Sequence, residues 1–162
     1  SETLQASILE VKSSPENVTY LINRLTNYCG SWIKHCGWYP DAKTRLWRKG
    51  TAKWEGSIHE KLKSQSPIKS IKGDILHYSY PSISFHLSKI NHFTDFMAKE
   101  MLEKGKKGSL IKLIVSPPFK FFKKYILQLG FLDGYAGFIV STMAAYYVFV
   151  KYAKLRILNK NK

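Results

Sequence analysis

Leu4, Ile8, Leu9 and Val11 recur at helical spacing and Ser13-Ser14-Pro15 closes the pattern, so residues 1–14 predict a short helix. Val18 to Leu25 is rich in β-branched and aromatic residues and predicts a strand. Asn27, Gly30 and the Gly37 to Pro40 stretch then break the chain into irregular backbone. Arg45-Leu46-Trp47-Arg48 and Ala52 to Gly56 predict two short strands joined by a turn at Lys49-Gly50, and Asp74 to Tyr80 predicts a third. From Ser82 the period becomes helical. Ile83, Leu87, Ile90, Phe93, Phe96, Met97, Met101 and Leu102 fall near one stripe until Gly105 stops it. A basic hinge at 104–108 leads to a second helix at Leu110 to Val115, which Pro117-Pro118 is expected to interrupt. A third helix is expected over Phe119 to Leu129, and Gly134 to Val150 forms an uncharged run. The expected class is α+β, with a mixed first part (1–81) and a helical second part (82–162).

At 162 residues and 44% hydrophobic side chains the chain is one domain's worth, which excludes a multidomain machine and a disordered tail. A net charge of +15 points to an acidic partner: phosphate, nucleotide, nucleic acid or anionic lipid. The surplus is uneven, with 12 basic and 7 acidic residues over 1–80 against 14 and 4 over 81–162. Cys29 and Cys36 are too few for a disulfide framework and lack the further ligand pair of a zinc site, so free thiols are expected. Ser1 in place of Met suggests a segment of a longer protein.

The seventeen uncharged residues of 134–150 lie at the lower limit for crossing a hydrocarbon core of about 30 Å, where about 20 are usual. Both flanks are basic, with Lys120, Lys123 and Lys124 before the run and Lys151, Lys154 and Arg156 after it, whereas a single crossing prefers one positive side. In-plane or hairpin insertion at an anionic membrane surface fits that pattern better. The plainer alternative is a buried core helix with a solvated basic face.

Candidate chemistry is densest from His35 to Asp41, in Arg45-Leu46-Trp47-Arg48-Lys49, at Trp54 and at His59-Glu60. Gly37 and Pro40 would shape a sharp loop that aims Trp38, Tyr39 and Asp41 into a cleft, where a sugar or base could stack beside a carboxylate. An exposed turn with two half-buried aromatics is the bland alternative. Arg45 and Arg48, three apart, would point to opposite faces of a strand, so only one, Arg45 by preference, would join Asp41. His77 could reach the cleft from its strand. His35, His86 and His92 read as structural, and Asp133 as a cap for the helix after it.

HCGWYPDAKTRLWRKG, then Trp54 and IHE, then GDILHYSY, then GFLDGYAGF and a terminal KYAKL together resemble the C-terminal half of a bacterial family 2 glycosyltransferase. The closest group is that of lipopolysaccharide core and envelope-glycan synthesis, and the resemblance covers nearly the whole chain in order. It implies the second, acceptor-side half of a GT-A-like nucleotide-sugar transferase domain, followed by a helical membrane-associated extension. In that family an Asp-x-Asp segment holds a divalent metal, Mg or Mn, on the donor. That segment would precede Ser1, so the metal ligands would lie mostly outside this chain, which would be inactive alone. The implied chemistry is inverting transfer, in which a carboxylate takes the proton of the attacking acceptor hydroxyl. Asp41 is the first choice for that base and Glu60 its rival, with His59 then available for a phosphate or metal contact. Arg45 would hold a diphosphate or acceptor phosphate through its fork of donors, and Trp38, Tyr39, Arg48 and His77 complete the expected binding set. The implied partners are a nucleotide-sugar donor, a lipid-linked or lipopolysaccharide-type acceptor and the anionic cytoplasmic face of a bacterial inner membrane, and no nucleic acid. Two rivals from other classes remain open, a basic nucleic-acid binder and a non-catalytic membrane-associated module.

Overall fold

The computed structural model describes residues 1–14, 16–55 and 61–160. It is α+β, with 54% helix and 25% strand. Two compact units divide the chain, one made of 1–26 with 39–77 and the other of 27–38 with 78–162. Their border does not follow the 81/82 division expected from the change of period, because 27–38 belongs with the helical unit.

In the first unit, helix α1 (Glu2–Ser13) starts at Ser1, whose hydroxyl accepts the Leu4 amide, and buries Leu4. Strand β1 (Thr19–Tyr28) pairs antiparallel with β3 (Ala42–Leu46) in the register Leu21↔Thr44, Ile22↔Lys43 and Asn23↔Ala42. Val18, Tyr20 and Ile22 are buried. Strand β4 (Ala52–Glu55) pairs with β5 (Lys61–Ser64). This corrects the hairpin expected between Arg45–Arg48 and Ala52–Gly56: β3 spends its hydrogen bonds on β1, so β4 takes another partner. Strand β6 (Ile68–Tyr80) pairs with β1 and starts six residues before the expected Asp74, since its exposed, lysine-bearing first half carries little apolar signal.

In the second unit the expected irregular stretch after Asn27 contains β2 (Ser31–Ile33), which pairs with the end of β1. Cys29 and Gly30 both take positive φ, the geometry of a tight two-residue hairpin turn, and the Asn27 side chain accepts the Gly30 amide at 3.0 Å. A cysteine at the first turn position masks the usual Asn-Gly signal. Helix α2 (Ile83–Glu103) lies where the period placed it, with the Ser82 hydroxyl capping its start. Its buried face is His86, Ile90, Thr94 and Ala98, four residues apart. Of the expected apolar stripe only Ile90 is fully buried, while Ile83, Leu87, Phe93 and Phe96 are exposed. Small and hydrogen-bonded side chains let α4 approach where bulkier ones could not, and the Thr94 hydroxyl is satisfied by the Ile90 carbonyl at 2.7 Å.

Helix α3 (Leu110–Phe122) runs through Pro117 and Pro118, contrary to the expected interruption. Two prolines remove only the amides that would reach the Leu113 and Ile114 carbonyls, and packing along α4 holds the rest of the helix in line. The chain continues in a π-helical turn (Lys123–Leu127) and a 3-10 turn (Gly130–Asp133) before α4 (Gly134–Lys160). Tyr28, Ile33, Cys36, Ala136 and Val140 form the core cluster of this unit. Both cysteines are free thiols.

Candidate functional site

Asp41 stands immediately before β3, and strand alternation puts Lys43 on its side of the chain. The pairing of β1 with β3 brings in Arg24, whose amide also donates to the Asp41 carbonyl. The carboxylate accepts Arg24 Nε at 2.9 Å and Nη2 at 2.6 Å on one oxygen, and lies 2.8 Å from Lys43 Nζ on the other. Partial burial raises the Asp41 pKa, but the hydrogen bonds and charges of Lys43 and Arg24 outweigh it and hold the carboxyl below its ordinary value. It is ionised at neutral pH, and a weaker base for being so well paired.

The arginines expected beside it are elsewhere in the unit. Arg45 is exposed and donates to the Thr44 carbonyl at 3.2 Å, and Arg48, beyond the end of β3, donates to the Ser14 carbonyl at 3.3 Å. Among the described residues no ion pair joins either of them to Asp41. The opposite-faces reasoning does not apply, because Arg48 is not in the strand. Tyr39 donates to Asp74 Oδ1 at 3.1 Å, and burial together with that carboxylate raises its pKa. His77 is half-buried in β6. Glu60 and His59 lie outside the described residues. Arg24 and Lys43 are the neighbours of Asp41 that sequence reasoning missed. Lys43 was legible from strand alternation alone, whereas Arg24 required the β1–β3 register.

Trp38 belongs to the second unit, in an aromatic cluster. It stacks on Tyr80 with centroids 5.4 Å apart and meets Tyr28 edge-on at 5.9 Å. The Tyr28 hydroxyl is 3.0 Å from His86 Nδ1. Burial, then the neighbouring Lys89, pushes the His86 pKa down to about 4, and burial above all lifts that of Tyr28 to about 12. The structural readings of His86 and His35 agree with these positions; the helix-capping role expected of Asp133 does not. Asp133 is almost wholly buried and turns back to the loop after β2, accepting the Lys34 and His35 amides at 3.1 and 2.8 Å and His35 Nδ1 at 2.8 Å. A carboxylate with three donors is fully engaged where it stands. Among the described residues no three His, Cys, Asp or Glu side chains converge as a metal site. They offer no complete ligand set for the divalent ion that the resemblance implies, and no step is routed through one.

The chain is 29% identical over 126 residues to an uncharacterized glycosyltransferase of Rickettsia bellii, an overlap of 72% of this chain and 43% of the relative. It is 35% identical over 80 residues to an uncharacterized glycosyltransferase of Rickettsia felis, covering 49% of this chain and 28% of that one. It is 28% identical over 114 residues to the lipopolysaccharide core biosynthesis glycosyltransferase LpsC of Rhizobium meliloti, with 68% and 42% covered. The chain therefore has homologues named glycosyltransferase and spans less than half the length of each of these three. No protein-family model matches it, and no solved structure does.

Proposed function

We propose that the chain is the acceptor-side, C-terminal part of an inverting family 2 glycosyltransferase with a GT-A-like catalytic domain, inactive alone, and that the full-length enzyme transfers sugar to a lipid-linked or lipopolysaccharide-type acceptor. The similarity to named glycosyltransferases over 72% of the chain carries this reading. In the reaction, a carboxylate takes the acceptor hydroxyl proton as that oxygen bonds the anomeric carbon, and the bond to the nucleoside diphosphate breaks on the opposite face. The two candidates for the base remain Asp41 and Glu60. The pairing of Asp41 with Arg24 and Lys43 lowers its basicity and shifts the balance toward Glu60. The test is turnover of the full-length enzyme at saturating nucleotide-sugar donor with Asp41→Asn and Glu60→Gln. Loss of the true base should cost about 10²–10⁴-fold, and near-normal turnover in both variants would remove both from that role.

The helical half we assign to the cytoplasmic face of the bacterial inner membrane, lying in plane. Helix α3 supports this, because its apolar stripe faces outward: Ile111, Ile114, Val115, Phe119 and Phe122 recur at intervals of three and four and are all at least half exposed. Of the 26 exposed large hydrophobic residues among the described ones, 13 fall between Leu110 and Phe138. One helical stretch among the described residues, Gly130–Lys160, is long and apolar enough to cross a membrane, and with only 22% of its most apolar window buried it is not enclosed as a core helix would be. Sedimentation with vesicles of phosphatidylglycerol and of phosphatidylcholine decides the matter. Binding should favour the anionic vesicles by about 1 kcal/mol per contacting lysine, and Ile111→Asp with Phe119→Asp should abolish it. Salt-dependent binding to oligonucleotides with none to vesicles would favour the nucleic-acid reading.

A further inference from the structure

Three lysines of the second unit, Lys120, Lys124 and Lys151, are half-buried, and among the described residues none has a carboxylate partner. Partly desolvated cations without counter-ions are unfavourable, so a fold that keeps several together is set up to receive an anion. Lys124 Nζ donates to the Cys36 carbonyl. Lys151 Nζ lies 4.9 Å from the Tyr152 ring centroid and 6.0 Å from that of Tyr147. Tyr147 and Lys120 line the same hollow, a cavity of about 140 Å³ whose other walls include Trp38, Ile90, Val140 and Met143. Burial and then repulsion from Lys120 both lower the pKa of Lys151, and Lys120 likewise follows burial in lowering that of Lys124. Lys120 is thus the charge common to both neighbours, Lys124 and Lys151. On α2, Asp95 is already paired with Lys154 at 2.7 Å.

We propose that this hollow is a binding site for a phosphate ester of a small apolar group, its apolar part seated among Trp38, Met143 and Tyr147 and its oxyanion held at the mouth by Lys120 of the lining and by Lys151, which stands outside the lining beside the Tyr147 ring. A phosphate offers several acceptor oxygens to ammonium donors, and the cavity has room for about five or six carbon atoms. A whole acyl chain does not fit, so the ligand is either a soluble ester or the phosphate end of a lipid with only its first carbons enclosed. The site does not depend on sugar transfer, and either the site or that reading can fail without the other.

The test is calorimetric titration of the full chain with hexyl phosphate, inorganic phosphate and hexanol, alongside vesicles containing phosphatidic acid. Hexyl phosphate should bind at least about tenfold more tightly than either half of it. Lys120→Gln and Lys151→Gln should each weaken it about tenfold and leave hexanol unchanged, while Lys112→Gln on the exposed side of α3 should change nothing. Met143→Trp, which fills the cavity, should abolish binding of the ester and spare that of inorganic phosphate. Competition by phosphatidic acid vesicles identifies the lipid as the source, and no competition identifies a soluble ester. Equal affinity for hexyl phosphate and inorganic phosphate, or full affinity in the two Gln variants, would overturn the proposal.

Discussion

The two units of this chain place their carboxylates and titratable side chains differently, although both bury hydroxyl groups, Thr19 and Ser66 in the first and Thr94 and Ser141 in the second. In the first, the ion pairs lie at the surface: Asp41 with Arg24 and Lys43, Glu55 with Lys63, Glu16 with Lys69. In the second, polar side chains are built into the interior: Asp133 under the loop after β2, Tyr28 against His86, Cys36 beside Ser141 and Thr94 against its own helix. The second unit also has exposed pairs, such as Lys154 with Asp95, but its architecture does not hang on them. Exposed pairs contribute little to stability and are available for chemistry, whereas buried ones fix the structure and tolerate no change. Substitutions of similar chemical size should therefore have unequal effects in the two units.

The largest inequality is expected between two glycines, Gly137 and Gly50; it is a contrast of these positions and not of every glycine, since a Cβ on Gly73 of the first unit would lie 2.4 Å from the Leu4 amide nitrogen. A Cβ on Gly137 would sit 1.9 Å from the Gly130 carbonyl oxygen, which is backbone and cannot swing aside. Gly137→Ala should lower stability by about 3 kcal/mol, the upper end for overpacking. In the first unit, Gly50→Ala meets nothing within 4 Å and suffers only its φ of 87°, a cost of about 1 kcal/mol. Urea midpoints measure both, and equal losses would break the comparison.

Next comes acid. His86 has a pKa of about 4 in the folded protein against 6.5 in a free side chain, so between those values the unfolded chain binds a proton that the folded one refuses. Stability from this group is complete above pH 6.5 and falls as the pH drops toward 4, by about 2–3 kcal/mol. His86→Gln should flatten the stability profile over that interval by the same amount, and parallel profiles would refute the assignment. Asp133→Asn is expected to follow, at about 2 kcal/mol, because an amide cannot accept all three donors of Lys34 and His35.

The helices were legible where the period was long. α2 was placed within a residue or two from its apolar spacing, yet its buried face was not, since Thr94 and Ala98 carry no hydrophobic signal and are buried because they are small. The π-helical turn and the passage of α3 through Pro117-Pro118 depend on packing against α4, which no local pattern encodes. β2 was hidden by its three-residue length and its Cys-Gly turn, and β5 because Lys61–Ser64 reads as polar loop. At the candidate site the sequence picked out Asp41 but paired it with Arg45. Register, a long-range property, supplies Arg24 instead.

The smallest effect is expected at that same carboxylate. The side chains of Asp41 and Arg24 are 24% and 36% exposed, so water screens their pairing and the pair contributes under about 1 kcal/mol. The folded pKa of Asp41 lies below its ordinary value, with Lys43 and Arg24 overcoming the effect of burial. Its contribution is therefore present at neutral pH and is lost only as the pH falls through the folded pKa, on the acid side of the His86 transition. A double-mutant cycle of Asp41→Asn and Arg24→Met, followed by urea unfolding at pH 7, should give a coupling of about 0.5–1 kcal/mol. A coupling of several kcal/mol would make Asp41 as structural as Asp133 and erase the contrast between the units. A small one leaves Asp41→Asn a folded protein, so any loss of sugar transfer in that variant reports on chemistry and not on collapse.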